Sequence, residues 1–333
     1  MAHDREVTLV FDDWATGSGP ALPPTGEGTV GGRGGMGGMM RGGGMMGGRG
    51  MGGTMGGGMM RREASHEPAY DTMTINGKAY PATEPLRVRK GERVRLRLIN
   101  ASNEHTHVIR LAGHPLHVTH TDGNPVDSPV GVDAIPIAPS EQYDVVVVAD
   151  RPGAWLLHCT QPGHAAVGEQ MLVLYEGHAS AKPTEAGVAD LRLWDYGLGR
   201  GRRVLAAPTG ATRTFEQTLS GGMMGSDVWT INGKVWPRTN PLPLARGDRA
   251  VVRFRNMSPE AHPMHLHGQS FQVLAINGAR YAAPIVKDIV DVEAHMGSAV
   301  VEFTAHNPGD WLFHCHKPMH MDGGMISLVR VRS

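Results

Sequence analysis

Apolar positions along this chain recur mainly with a period of two. Val94, Leu96 and Leu98 alternate with polar residues from Arg93 and the run closes on Asn100, the pattern of a strand with one buried face. Val251 to Asn256 answers it in the second half. The longest apolar runs are strand-length, as in YDVVVVA at 143–149. Asn-Gly pairs at 76–77, 232–233 and 277–278, Asp-Gly at 122–123 and Pro-Gly at 152–153 and 308–309 read as turns between strands. Runs of helix-forming residues are few, so the expected class is all-β.

The pattern also repeats. TINGKAYP begins at Thr74 and TINGKVWP at Thr230, a spacing of 156 (230 − 74). KGERVRLRLIN from Lys90 and RGDRAVVRFRN from Arg246 keep that spacing, as do Trp155 with Trp311 and Cys159 with Cys315. Two tandem Greek-key β-sandwiches are therefore expected, over 1–178 and 187–333, joined by the polar spacer HASAKPTEAG. Residues 31–60 break the pattern, since they contain only Gly, Met, Arg and one Thr. Such a stretch buries too little apolar surface to offset its conformational entropy, and a disordered insertion is expected at about 25–66. Its methionines, Met36, Met39, Met40, Met45, Met46, Met51, Met55, Met59 and Met60, suit capture of Cu(I), which prefers thioethers; composition alone also permits a plain low-complexity linker.

Charge and length narrow the field. The 333 residues carry a formal net charge of zero, so no global field draws in nucleic acid or an anionic membrane surface. Arg33, Arg41 and Arg49 have no aromatic interleaving, and the Gly-rich run is not followed by the Lys-Ser or Lys-Thr of a phosphate loop. No run approaches the roughly 20 apolar residues of a membrane span. The opening MAHDREVTLVFDDW has no basic then apolar leader.

The two cysteines lie in matching settings, WLLHCTQPGH and WLFHCHKPMH. Each follows a His and precedes another by five residues, which reads as metal chemistry rather than a disulfide. In HCHKPMHMDGGM, Cys315, His320 and Met325 are spaced five and five. A blue-copper site needs one thiolate, two imidazoles and a weak axial thioether. HPMHLHGQSFQV at 262–273 offers the second imidazole. Alternation puts His265 and His267 on one face of a strand, and turns His314 and His316 away from Cys315. Electrons reaching the thiolate would then have a path through adjacent residues to a second metal site.

HPMHLHG together with HCHKPMHMDGGM resembles the copper signature of the multicopper oxidases, the family of laccases, ascorbate oxidase and bacterial cuprous oxidases. REVTLVFDDW resembles the start of that family's middle domain, so the whole chain runs like a middle plus a last cupredoxin-like domain. The resemblance implies type 1 copper on His262, Cys315 and His320 with Met325 axial. It places His265 on type 2 copper and His267, His314 and His316 on the type 3 pair, with His314, Cys315 and His316 as the electron relay and His262 and His320 at an exposed edge where the donor meets the site. Cu(I) or a phenolic or other small organic donor and dioxygen are the implied reactants; members of the family are typically secreted or periplasmic, and with no leader in the opening residues the compartment of this chain stays open. Three-domain members take the rest of the three-copper site from two His-X-His pairs of a first domain. This chain supplies only the last domain's pair, so half of that site is expected here: the chain is a truncated oxidase, or the remainder comes from a first cupredoxin domain on another polypeptide or, less readily, from a homo-oligomer. A copper-carrying or electron-transfer cupredoxin pair without oxygen reduction is the competing class.

The repeat spacing poses one more question. Cys315 maps to Cys159, His320 to His164 and, with one residue of slippage, His262 to His107. Met325 maps to Glu169 and His316 to Thr160, while His105, His114, His117 and His120 do not reproduce HPMHLHG. Either a second mononuclear copper site exists, with Glu169, Met171 or nothing axial, or the first repeat is a decayed duplicate whose residues simply pack.

Overall fold

The computed structural model describes residues 1–23, 68–178, 181–184, 187, 190–202, 205–223 and 226–333. The Gly/Met-rich insertion expected at about 25–66 lies outside them. Among the described residues the chain forms two β-sandwiches. The first comprises β1 (Arg5–Trp14), β2 (Thr72–Ile75), β3 (Leu86–Val88), β4 (Arg93–Asn100), β5 (His107–Leu111), β6 (Leu116–Thr121), β7 (Asn124–Val132), β8 (Ala134–Ile137), β9 (Gln142–Val148), β10 (Ala154–Cys159) and β11 (Gln170–Tyr175). The second comprises β12 (Thr212–Gly221), β13 (Trp229–Ile231), β14 (Leu242–Ala245), β15 (Arg249–Asn256), β16 (His262–Leu266), β17 (Phe271–Ile276), β18 (Ala279–Arg280), β19 (Val286–Lys287), β20 (Ile289–Val292), β21 (Ser298–Thr304), β22 (Gly309–Cys315) and β23 (Ile326–Arg332), with the short helix α1 (Pro318–Asp322) between the last two strands.

The sheets match strand for strand. One sheet of the first sandwich runs β2-β1-β4-β9-β6-β7 and its counterpart β13-β12-β15-β21-β17-β18, with β19 also paired to β17. The facing sheets run β3-β11-β10-β5-β8 and β14-β23-β22-β16-β20. In β4 the alternating residues Val94, Leu96, Leu98 and Asn100 are buried, and in β15 Ala250, Val252, Phe254 and Asn256. The period-two pattern thus marks the faces that close each core. At both 76–77 and 232–233 the Asn and the Gly have positive φ, the backbone of a type I′ hairpin turn, which Asn-Gly adopts with little strain.

The sandwiches share a polar seam. The buried Lys287 places Nζ 2.9 Å from Asp122 Oδ2 and 3.0 Å from Glu141 Oε1, both carried by the first sandwich. Lys317 reaches across to Glu104. The segment 190–202 follows the spacer and lies against both sandwiches: Leu193 bridges Ala134 and Trp194 N donates to Ala134 O at 2.9 Å on the first, and Gly201 N donates to Ala283 O at 3.4 Å on the second. The first strand of the second sandwich starts only at Thr212. No helix among the described residues is long and apolar enough to cross a membrane.

Candidate metal centre

Strand register builds the deeper of two histidine clusters in the second sandwich. β16 pairs with β22 so that Met264 faces Cys315. His262 at the start of β16 therefore lies beside Cys315 at the end of β22, and α1 folds His320 over both. Cys315 Sγ is 3.7 Å from His262 Nδ1 and 3.5 Å from His320 Nδ1, and the two imidazole nitrogens are 3.0 Å apart. Met325 is fully buried, and its backbone ties the cluster together: its N–H donates to His320 O at 3.0 Å, and its carbonyl accepts from Cys315 N at 3.1 Å.

The hydrogen bonds around this cluster fix the tautomers. Ser258 Oγ–H is taken by Asn256 Oδ1 at 2.8 Å or by Glu260 O at 3.0 Å, so His262 Nε2 donates to Ser258 Oγ at 2.7 Å. His320 Nε2 donates to Glu260 Oε2 at 3.0 Å. Both Nδ1 atoms then carry lone pairs and face one another across 3.0 Å with no proton to share. Burial pushes the His320 imidazole down to about 4 and His262 well below the usual histidine range, so both are neutral donors. Burial raises the Cys315 thiol, and a cation among these three groups would release its proton. The donor set fits copper, whose trigonal His₂Cys sites combine soft sulfur with imidazole.

His262 and His320 do not form the exposed edge expected from the resemblance. They are 0% and 2% exposed, because Trp229 lies over His320 with ring centroids 3.7 Å apart and α1 closes the side. Glu260 is the partly exposed group that touches His320.

The second cluster lies on the opposite face of the same strands. His265, His267, His314 and His316 gather with ring centroids between 4.9 and 5.8 Å. His267 Nε2 is 3.0 Å from His314 Nε2. His265 Nδ1–H donates to Asp288 O at 2.9 Å and His314 Nδ1–H to Cys315 O at 2.8 Å, leaving both Nε2 atoms unprotonated, that of His314 accepting from His267 Nε2. His316 Nδ1 is hydrogen-bonded to Ser140 Oγ of the first sandwich at 2.7 Å. Burial holds His265 and His314 at about 4. Alternation along the end of β22 and into the residue after it puts Cys315 into one cluster and His314 and His316 into the other.

Domain signatures described as multicopper oxidase match residues 54–179 and 209–333. This chain belongs to the multicopper oxidase family. It is 34% identical over 332 residues to the multicopper oxidase MmcO of Mycobacterium tuberculosis, covering 98% of this chain and 62% of that protein. It is 26% identical over 298 residues to Laccase-2 of Trametes versicolor, covering 76% and 57% respectively. The chain thus spans under two thirds of these relatives' length. In fold it matches a laccase variant from B. aclada, with a TM-score of 0.71 at 19% identity over 99% of this chain and 64% of that one. It matches Fet3p, a multicopper oxidase that functions in iron import, with a TM-score of 0.70 at 15% identity over 99% and 66%. Copper is the cofactor of this family.

The first sandwich of this multicopper oxidase holds a third cluster. Cys159 faces Ile109 across β5 and β10, as Cys315 faces Met264, so the one-residue slippage between the repeats is real and His107 is the counterpart of His262. His107, Cys159, His164 and Glu169 are all buried, with their ligand atoms within 4.8 Å of one another. Both cysteines are free thiols.

Several residues that complete these sites are not among the expected ligands. Asn100 and Asn256 close β4 and β15, and each accepts from a serine N–H two residues on, at 2.8 and 2.9 Å. Those serines, Ser102 and Ser258, lie 2.7 Å from the Nε2 of His107 and of His262 respectively. The repeated Asn-X-Ser at 100–102 and 256–258 was the available signal. Glu260, Lys317 and Ser140 act through contacts distant in sequence and left no local pattern.

Proposed function

We propose that this chain is the copper-bearing middle and last portion of an oxidase that takes single electrons from a small donor and passes them to dioxygen. His262, Cys315 and His320, with Met325 beside them, would hold the type 1 copper, and His265, His267, His314 and His316 would hold half of a type 2 and type 3 cluster. When bound, copper supplies one-electron redox chemistry at the first site and dioxygen reduction at the second. The observation that carries this reading is the placement of Cys315 in one cluster and of His314 and His316 in the other. Two covalent backbone steps join a buried thiolate to both imidazoles, a short path for electron transfer.

The protein's own groups set the conditions. Ser258 and Glu260 hold protons on the outward nitrogens of His262 and His320, so their Nδ1 atoms stay free to ligate. Trp229 and α1 keep water from the inner site. His265 and His314 present Nε2 because backbone carbonyls hold Nδ1–H. Four further imidazoles, from a separate first cupredoxin domain, would complete the oxygen site.

Cuprous ion is the donor we favour, because the thioether-rich run at 31–60 suits Cu(I) delivery; phenols are the alternative. The family's habit of working outside the cytoplasm supports an exported protein. Copper-loaded chain should show the intense visible colour of a thiolate–copper bond, and Cys315→Ser should abolish it. Oxygen uptake with Cu(I) or a phenol, measured once the complementary domain is present, tests the oxidase reading. Colour without uptake would leave an electron carrier, and a copper spectrum indifferent to Cys315→Ser would end the proposal.

A further inference from the structure

The cluster in the first sandwich is built on the same backbone frame as the type 1 site, with one ligand exchanged. Glu169 N donates to His164 O at 3.1 Å and Cys159 N to Glu169 O at 3.3 Å. These are the bonds that Met325 makes to His320 and Cys315. Glu169 therefore occupies the thioether's position, and Met171 lies two residues further along β11. Its carboxylate turns inward: Oε1 is 2.7 Å from His107 Nδ1 and Oε2 is 3.1 Å from His164 Nδ1. His107 Nδ1 and Glu169 Oε1, though this close, are not aligned for a hydrogen bond, and neither has another partner. Val108 N and Gln161 N both donate to Cys159 Sγ, at 3.2 and 3.4 Å, which partly offsets the burial and the Glu169 carboxylate that raise this thiol, and a bound cation would release its proton. His164 Nδ1 completes the set, 3.4 Å from that sulfur.

We propose that His107, Cys159, His164 and Glu169 form a closed four-ligand site for a divalent ion of the zinc and copper class, held structurally rather than for electron transfer. One sulfur, two nitrogens and one oxygen are the donors of a closed tetrahedral site with no open position. Thiolate and carboxylate together neutralise a divalent charge. A monovalent ion would leave a net negative charge in a dry interior, which is costly, so the site resists reduction. The type 1 site has a single anionic ligand and lacks this lock. One of the two exits is missing as well, since Thr160 stands where His316 stands in the second sandwich, while His158 keeps the place of His314. The bound ion would tie β5, β10 and the turn at 165–167 into one unit.

The full chain carrying Cys315→Ser tests this cleanly, because Cys159 is then its sole thiol, and the result does not depend on the type 1 assignment. Loaded with Co2+, that chain should show a thiolate–cobalt charge-transfer band and the strong visible bands of a tetrahedral ion. X-ray absorption of its zinc form should show one sulfur neighbour at about 2.3 Å and nitrogen or oxygen neighbours at about 2.0–2.2 Å. Loaded with Cu2+, it should lack the intense blue band, and adding Glu169→Met should create one, because a weak thioether restores the trigonal set. Absence of any sulfur–metal signal with Co2+, Zn2+ and Cu2+ would mean a metal-free histidine–glutamate cluster and overturn the proposal. So would a copper spectrum unchanged by Glu169→Met.

Discussion

Ser258 Oγ lies 2.7 Å from His262 Nε2 and decides which nitrogen of that imidazole faces Cys315. Asn256 in turn positions the serine, whose N–H and Oγ–H both reach Asn256 Oδ1. Outer partners of this kind set the affinity of a metal site as well as its geometry, by roughly 10- to 100-fold. Ser258→Ala should therefore weaken copper binding at the Cys315 site by about that factor, read by titration against a competing chelator, while Ser258→Thr retains most of it. Equal affinities for Ser258→Ala and the parent would show that the serine merely packs.

Lys287 holds the two sandwiches together by a different means. Its ammonium is fully buried between Asp122 and Glu141 and lies 4.8 Å from the centre of the Tyr143 ring. Removing one member of a buried ion pair leaves its partners charged and unmatched, at about 3–5 kcal/mol. Lys287→Met should lower unfolding stability on that scale and separate the melting of the two sandwiches, with the colour of the Cys315 site intact. A single unshifted transition would show that the seam is held by other contacts.

What the sequence revealed and what it hid divide along the range of the interactions. Period-two alternation from Arg93 to Asn100, the Asn-Gly turns and the 156-residue repeat are local or periodic signals, and they pointed to two sandwiches of like topology. The spacing of Cys315, His320 and Met325 was legible because one short loop and helix carries all three. Alternation also separated His314 and His316 from Cys315 correctly. Pairings between distant segments left no such trace: Lys317 with Glu104, Ser140 with His316, and the strap at 190–202 against both sandwiches follow from how the domains meet. The arithmetic of the repeat paired Glu169 with Met325, yet only the backbone bonds to His164 and Cys159 show that Glu169 rather than Met171 stands in that methionine's place. Exposure of His262 and His320 was misjudged because Trp229, distant in sequence, covers them.

Gly268 ends the HPMHLHG segment for two separable reasons. Its φ of +79° disfavours any side chain, and a Cβ there would stand 2.4 Å from the Trp311 ring. Gly278 has φ +81° but open space around it. Gly278→Ala should thus cost only the backbone term, on the order of 1 kcal/mol. Gly268→Ala should cost clearly more and disturb His267 beside it. Matched denaturant melts of the two variants compare the terms directly, and equal losses would rule out the Trp311 contact as a constraint.

Asp71 gives the fold an acid-sensitive point away from the metal clusters. Its carboxylate accepts from Thr16 N at 3.0 Å, Thr16 Oγ1 at 2.7 Å, Thr72 Oγ1 at 3.0 Å and Gly19 N at 3.3 Å. Donation from Thr16 above all holds its carboxyl well below the usual carboxylate range. A folded-state value below the unfolded one, which is about 4, stabilises the fold fully above the unfolded value, and this contribution is lost as pH falls through it toward the folded value. Amide exchange at 16–19 should therefore be protected at neutral pH and lose protection as the solution is acidified below about pH 4. Asp71→Asn should lower the protection at neutral pH and flatten its dependence on acid. An unchanged acid profile in that variant would assign the effect to another carboxylate.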